Sequence, residues 1–400
     1  MANVTQLKHL EHIEDEMLNY GVQGCDAAVS AMQELLRMLG KDGTSFMQTK
    51  WDGAPSVVCG MDPLAKIFFV GTKSVFAKTE PKLCFSDADV DRWYNGDLAV
   101  KLKACLKYFP ALKIDGVVQG DLLFTDSDKK KEYVDGEHLI TFRPNTITYG
   151  IPTDHPIGQQ VDRAHIGIVF HTHYVGDDLP TMRAQAGAKV SNHNDAPDVA
   201  VIENDTPYHD ISVSPADIAR FERHVSKMER MCAICGKFLD ELVANMGTTG
   251  DKKFHVASYL KQFFNNEIKN ARTITNVQST LKALGKFYHE KMQKEIAKVK
   301  SAKSQTAKRD LMFKGLKYLE DHEKEFAAML ALYKTMQEAK QLVIDQLDHL
   351  ETFRTFVQTD KGYRVTNPEG YVLHHNGDMI KLVNRIEFSY INFTLSKEWK

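Results

Sequence analysis

The chain has 400 residues, 43% apolar and 26% charged, a balance that fits a globular protein with a sizeable core and excludes disordered and fibrous classes. Its net charge is −2, so any nucleic-acid surface must be local rather than global. No apolar run approaches the roughly 18 residues of a membrane span, and the N-terminal MANVTQLKHLEHIEDE is too polar for a secretory signal.

Residues 5–40 predict a helical segment. Leu7, Leu10, Ile13, Met17 and Leu18 fall at helical spacing, and the pattern resumes over 27–38 after a break at Gly21–Gly24. Within it His9, Glu11, His12, Glu14 and Asp15 form a polar cluster, expected to be a solvated helix face. From 44 to 213 the texture is β-rich. Strands are predicted over 56–60, 67–71, 116–124, 139–142, 146–151, 165–174 and 199–202, with one helix over 97–112. From 214 to 357 the pattern is helical. Ser214-Pro215 form an N-cap with proline at the first helical position, and breaks are expected at 247–250 and at Gly285. Strands return over 371–375, 379–383 and 388–393. The expected domains are therefore an N-terminal helical segment (1–43), a β-rich core (44–213), a helical insertion (214–357) and the core's C-terminal strands (358–400).

Six cysteines are scattered at 25, 59, 84, 105, 232 and 235, as suits reduced thiols. The lone C-x-x-C, Cys232 to Cys235, lies in a helical pattern and is expected to serve packing.

Two tetrapeptides have the form K-x-D-G: Lys50-Trp51-Asp52-Gly53 and Lys113-Ile114-Asp115-Gly116. A lysine beside a carboxylate and a glycine is a candidate nucleophile once its amine is deprotonated. Four later segments accompany the first copy. Gly71-Thr72-Lys73-Ser74 ends a strand. The run Gly116–Phe124 carries Asp121 in mid-strand. Ile166–Phe170 ends on an aromatic ring. Glu369-Gly370-Tyr371-Val372 is followed by Lys381 between Ile380 and Leu382. Carboxylates suit Mg²⁺, lysines suit phosphates, and an aromatic face suits a base. His171, His173, His374 and His375 lie next to these segments as further polar candidates.

The order of these segments resembles the covalent nucleotidyltransferase superfamily of ATP-dependent polynucleotide ligases and capping enzymes, most closely the phage RNA ligases. The resemblance covers roughly 44–175 and 363–385 and implies an α+β fold: an ATP-grasp-like nucleotidyltransferase β-rich core carrying a large all-helical insertion. It makes Lys50 the residue that takes AMP from ATP, because Lys113 stands only eight residues before Asp121 and leaves no room for the intervening segment. Lys50, Asp52 and Lys381 are then catalytic. Gln48, Thr49, Gly53, Lys73, Phe170, Glu369 and Lys381 bind nucleotide, with Phe170 stacking on the base. Asp121 and Glu369 bind metal, with ATP and Mg²⁺ (or Mn²⁺) as cofactors.

The sequence departs from the family at three points. Asp121 replaces the usual glutamate, the second lysine of the fifth motif is absent, and Ala54-Pro55-Ser56 follows the first motif where DNA ligases carry an arginine. Arg385 and Lys73 are candidates to replace the missing lysine. Only 19 residues follow Lys381, too few for an OB domain.

The helical insertion holds a basic stretch. Residues 282–317 contain eleven Lys/Arg and three Asp/Glu, and with Lys73, the residues Lys291, Lys294, Lys298, Lys308 and Arg309 are candidate nucleic-acid contacts. The expected function is an ATP-dependent RNA ligase of bacteriophage type, joining 5′-phosphate and 3′-hydroxyl ends in the cytoplasm (the host's, if viral) with nucleic acid and no membrane as partner. A DNA ligase or capping-type guanylyltransferase is the alternative within enzymology. A non-catalytic nucleic-acid-binding protein on a degenerate ligase fold is the alternative outside it.

Overall fold

The computed structural model describes residues 12–389 apart from 44, 189, 191–194, 204, 207–211, 246–255, 351–352, 360–361 and 376–377. The chain is mixed α+β and divides into two compact units, the first Met47–Thr206 with Glu351–His374, the second Leu10–Phe46, Pro207–Leu350 and His375–Lys400. In chain order the elements are α1 (Ile13–Tyr20), α2 (Val22–Leu39), β1 (Phe46–Lys50), β2 (Ser56–Met61), β3 (Phe68–Gly71), α3 (Asp87–Trp93), α4 (Gly96–Tyr108), β4 (Val117–Thr125), β5 (Lys130–Val134), β6 (Glu137–Phe142), β7 (Ile147–Pro152), α5 (Pro156–Arg163), β8 (Ile166–Val175), β9 (Arg183–Ala186) and β10 (Val199–Val201). Then come α6 (Pro215–Ala244), α7 (Val256–Lys269), α8 (Val277–Ala297), α9 (Ala302–Asp321), α10 (Glu323–Leu347), β11 (Arg354–Thr359), β12 (Gly362–Val365), β13 (Gly370–His375) and β14 (Asp378–Leu382).

The first unit is built on two sheets. One has the order β10-β8-β4-β2-β3, with β9 also pairing β8; the other runs β12-β11-β7-β6-β5. Strand β1 neighbours β13. Alternation along β4 sends Val118 and Leu122 into a core with Val57, Cys59, Ile166 and Ile168, covered by Leu102, Cys105 and Phe109 from the α4 region. Gln119 and Asp121 thereby belong to the opposite face.

The second unit is helical. Glu14 and Asp15, expected on a solvated face, are buried at 0% and 6% exposure. Both oxygens of Glu14 accept from Lys340 Nζ at 2.8 Å. Asp15 accepts from Arg385 at 3.0 Å and 3.1 Å, and Arg385 also donates to Tyr333 Oη and Asn265 Oδ1. Ion pairing across distant helices therefore replaces solvation. It also commits Arg385, which corrects the idea that it stands in for a missing phosphate-binding lysine.

The N-terminal helices do not form a separate segment, because α1 and α2 pack on α6 and α10 in one unit. The residues after His374 join that unit rather than the β-rich one. Gly285 lies inside α8 rather than breaking it; one glycine costs a helix only about 1 kcal/mol. Phe388 lies in a π-helical turn (Arg385–Ser389) rather than a strand. The break expected at 247–250, the end of the strand expected over 388–393, and His9 and Glu11 lie outside the described residues. Cys232 and Cys235 are buried in α6 packing with Cys25, and among the described residues no helix is long and apolar enough to cross a membrane.

Candidate active site

Lys50 is the last residue of β1, and its Nζ lies 2.6 Å from Glu369 Oε2, just before β13. The lysine side chain is 24% exposed and the glutamate 7%. Burial pulls the lysine's pKa down, but Glu369, with smaller contributions from Asp121 and Asp52, outweighs it and holds the amine above the usual lysine range. The resting lysine is thus an ammonium, and nucleophilic attack requires that it lose a proton.

Gly53 shows why the first motif ends in glycine. A Cβ there would lie 2.6 Å from Asp121 Cβ and 3.2 Å from Leu122 O. The segment is tied to β4 by Ala54 N donating to Leu122 O at 2.9 Å and Leu122 N donating to Pro55 O at 3.0 Å. These bonds bring the K-W-D-G loop against Asp121.

Asp52 is 5% exposed and its carboxylate is well occupied. Oδ1 accepts from Asn145 Nδ2 at 2.8 Å, and Oδ2 accepts from Thr146 N at 2.7 Å and Ile147 N at 2.8 Å. Burial nonetheless raises its pKa. Its backbone N donates to Tyr149 Oη at 2.8 Å, and Trp51 packs on Tyr149 and Phe353. These contacts make Asp52 a positioning residue that fixes the loop to the start of β7, where the resemblance implied a catalytic one.

Asp121 lies across β4 from Val169 and Ser56. Burial would raise its pKa, but a hydrogen bond and charge from His171, followed by the charge of Lys50, bring it below the ordinary value. His171 Nε2 is 3.5 Å from Asp121 Oδ2. In the β4–β8 ladder Gly120 pairs with Phe170 and Gln119 with Thr172, so His171 is the extra residue of a bulge, a device that re-aims side chains. Gln119 donates to Ser56 Oγ at 2.8 Å and accepts from Tyr174 Oη at 2.5 Å, which completes a polar network beside Asp121.

Phe170 is not part of this network. It is 3% exposed and belongs to the core beneath the sheet, near Phe109. A Cβ on Gly120 would meet its ring at 2.9 Å, which puts Phe170 on the face opposite Asp121. The expectation that it stacks on a base is therefore corrected, and His171 is the ring on the Asp121 side. His173 instead bonds Gly187 O and Gln185, so the two histidines do not act together.

Gln48 and His374 form a second buried pair, Nε2 to Oε1 at 2.7 Å. Burial, and then the charge of His171, lower the His374 pKa to about 4, so the ring is neutral and its Nε2 donates to the amide oxygen. Thr49 bonds Thr206 at 3.1 Å. Lys73 is exposed at the start of a 3₁₀ turn (Lys73–Phe76). Lys381 lies on β14, in the second unit. Lys113, the competing lysine, is an exposed turn residue paired with Asp195 at 2.6 Å. His375 bonds Ser30 and Ser45.

The structure thus gathers Lys50, Glu369, Asp121 and, through its loop, Asp52. Ser56, Gln119 and Tyr174 were not anticipated from the sequence; period-2 alternation in β2 and β4 puts Ser56 and Gln119 on the Asp121 face, but Tyr174 has the parity of the core residues Ile166, Ile168 and Phe170 and reaches Gln119 only past the bulge. Among the described residues no group of three or more His, Cys, Asp or Glu side chains forms a metal cage. Two carboxylates near Lys50 still fit Mg²⁺, which binds through one or two carboxylates, substrate phosphates and water.

A family model matches residues 3–397. The chain belongs to DUF6267, a family of unknown function. No curated protein and no solved structure matches it.

Proposed function

We propose that this member of the family is an ATP-dependent polynucleotide ligase with RNA as the favoured substrate, acting through a lysyl-AMP intermediate on a nucleotidyltransferase core. The observation behind this reading is the Lys50–Glu369 contact at 2.6 Å. It joins the lysine of one motif to the glutamate of another from near the far end of the chain, with Asp121 electrostatically coupled to both the lysine and a histidine.

Lys50 Nζ loses a proton to solvent and attacks the α-phosphorus of ATP. The N–P bond forms as the bond to the bridging oxygen breaks, and pyrophosphate leaves with the electron pair. An oxygen of a nucleic-acid 5′-phosphate then displaces Lys50 from the AMP phosphorus. A 3′-hydroxyl finally attacks the activated 5′-phosphorus, loses its proton and expels AMP. Mg²⁺ held by Asp121 and Glu369 would neutralise phosphate charge, the main demand of phosphoryl transfer. Lys73 would add positive charge along the phosphates.

The test is end joining with ATP and Mg²⁺ on matched RNA, DNA and hybrid ends bearing 5′-phosphate and 3′-hydroxyl groups. Joining of RNA ends supports the proposal. Joining of DNA ends alone makes it a DNA ligase, and transfer of GMP to a 5′-diphosphate end makes it a capping enzyme. Oligonucleotide binding without any covalent chemistry leaves the non-catalytic reading.

A further inference from the structure

The basic stretch of the helical unit divides in two once folded. Lys308 of α9 engages Glu295 of α8 at 3.6 Å and ties the two helices, while Lys298 pairs with the same Glu295 one turn back at the end of α8, at 2.7 Å. Lys291 lies over the Phe287 ring at 5.2 Å. Tyr288 is fully buried, and Gly315 of α9 admits its ring, since a Cβ there would lie 2.2 Å from the Tyr288 hydroxyl. These residues serve the helix pair.

The outer face of α9 is different. Met312, Gly315, Tyr318 and Leu319 are buried, while Lys303, Arg309, Lys314 and Lys317 are exposed. Lys303, Arg309 and Lys314 form no ion pair among the described residues, and Lys317 pairs only with Asp321, one turn on, at 3.0 Å. Asp310 is the only carboxylate between Lys303 and Lys317. Among these cations stands Phe313, 62% exposed. The row from Lys303 to Lys317 is about 21 Å long at 1.5 Å per residue.

We propose that the outer face of α9 is a single-stranded nucleic-acid track, with Lys303, Arg309, Lys314 and Lys317 on phosphates and Phe313 stacked on a base. A cation row alone fits any polyanion. A large exposed aromatic ring within it selects unpaired bases, because a duplex keeps its base faces stacked inside. A membrane surface is disfavoured, because the apolar side of α9 is already buried and Phe313 alone is left to insert. The track deepens the ligase reading by supplying a grip on the strand being joined, and it rests on that reading only for its purpose.

The experiment measures binding of a fluorescein-labelled 12-nucleotide RNA, single-stranded and as a duplex, by anisotropy across a salt series, with ATP self-labelling assayed on the same wild-type preparation. The single strand should bind more tightly than the duplex. Three to four phosphate contacts predict a slope of log K against log salt of about −2 to −3. Phe313→Ala should weaken single-strand binding about five- to a hundredfold. A triple change of Lys303, Arg309 and Lys314 to Gln should flatten the salt slope, with circular dichroism confirming that both variants fold. Equal affinity for duplex and single strand, or Phe313→Ala without effect, overturns the track. No RNA binding alongside intact self-labelling also overturns it and leaves the ligase chemistry standing. RNA binding without self-labelling overturns the ligase chemistry and leaves the track.

Discussion

Asp52 is the residue whose role the geometry redefines most sharply. If it positions the K-W-D-G loop, Asp52→Ala strands three donors: Asn145 Nδ2, Thr146 N and Ile147 N. An unsatisfied buried donor costs about 1–3 kcal/mol, and the two backbone donors cannot rotate away. Losing both gives about 2–6 kcal/mol, with the Asn145 amide free to turn toward other partners. Asp52→Asn keeps one acceptor oxygen but sets an amide NH₂ against a donor, so it should cost about half as much. Because the chain has two units, a single global unfolding energy is a poor readout. Amide hydrogen exchange at Thr146 and Ile147 reports the loss directly, and both should exchange faster in Asp52→Ala by one to several orders of magnitude. If Asp52 instead gripped the ribose, both amides would keep their protection and the variant would lose only ATP affinity. Unchanged exchange with a raised KM for ATP would refute the positioning role.

Gly53→Ala forces a Cβ to within 2.6 Å of Asp121 Cβ, so the variant should lose about 1–3 kcal/mol and most self-labelling, read by thermal melting and label transfer. Glu369→Gln removes the chief cause of the raised Lys50 pKa, leaving burial dominant. The free lysine should then react with an amine-selective acylating reagent at lower pH than in wild type, even as AMP transfer is lost. Asp121 has a folded pKa below its unfolded value, so its stabilising contribution is present above about pH 3.9 and lost as pH falls through the folded pKa. Removing the imidazole in His171→Ala should raise the Asp121 pKa, measured by carboxylate NMR, and shrink that contribution. Glu14→Gln leaves Lys340 buried without its counter-charge and should cost about 3–5 kcal/mol, while Glu14→Leu with Lys340→Met should recover most of that.

The sequence made the element pattern legible where periodicity was strong. The strands of β2, β4, β8 and β13 and the helix starting at Pro215 are found within a residue or two of expectation. It failed where a partner lies far along the chain. Glu14 and Asp15 look like a solvated acidic face until Lys340 and Arg385, 326 and 370 residues away, are folded against them. Phe170 and His171 are adjacent, and no alternation rule says which ring faces Asp121 when a bulge intervenes between Gly120 and Gln119. The short strands β5, β9 and β12 have little apolar content, so they were invisible to patterning. The Lys50–Glu369 contact was implied only by resemblance, because neither tetrapeptide carries its partner's address.

Covalent attachment of AMP to Lys50 is the event on which the ligase reading stands. The protein, freed of any carried-over nucleotide, is incubated with Mg²⁺ and α-labelled ATP, denatured, and examined for label on the chain, beside Lys50→Ala and Lys113→Ala. Label from ATP that persists in Lys113→Ala and vanishes in Lys50→Ala is the predicted result. Label that survives Lys50→Ala, or folded wild-type protein that takes up none, rules out Lys50 as the site of AMP attachment.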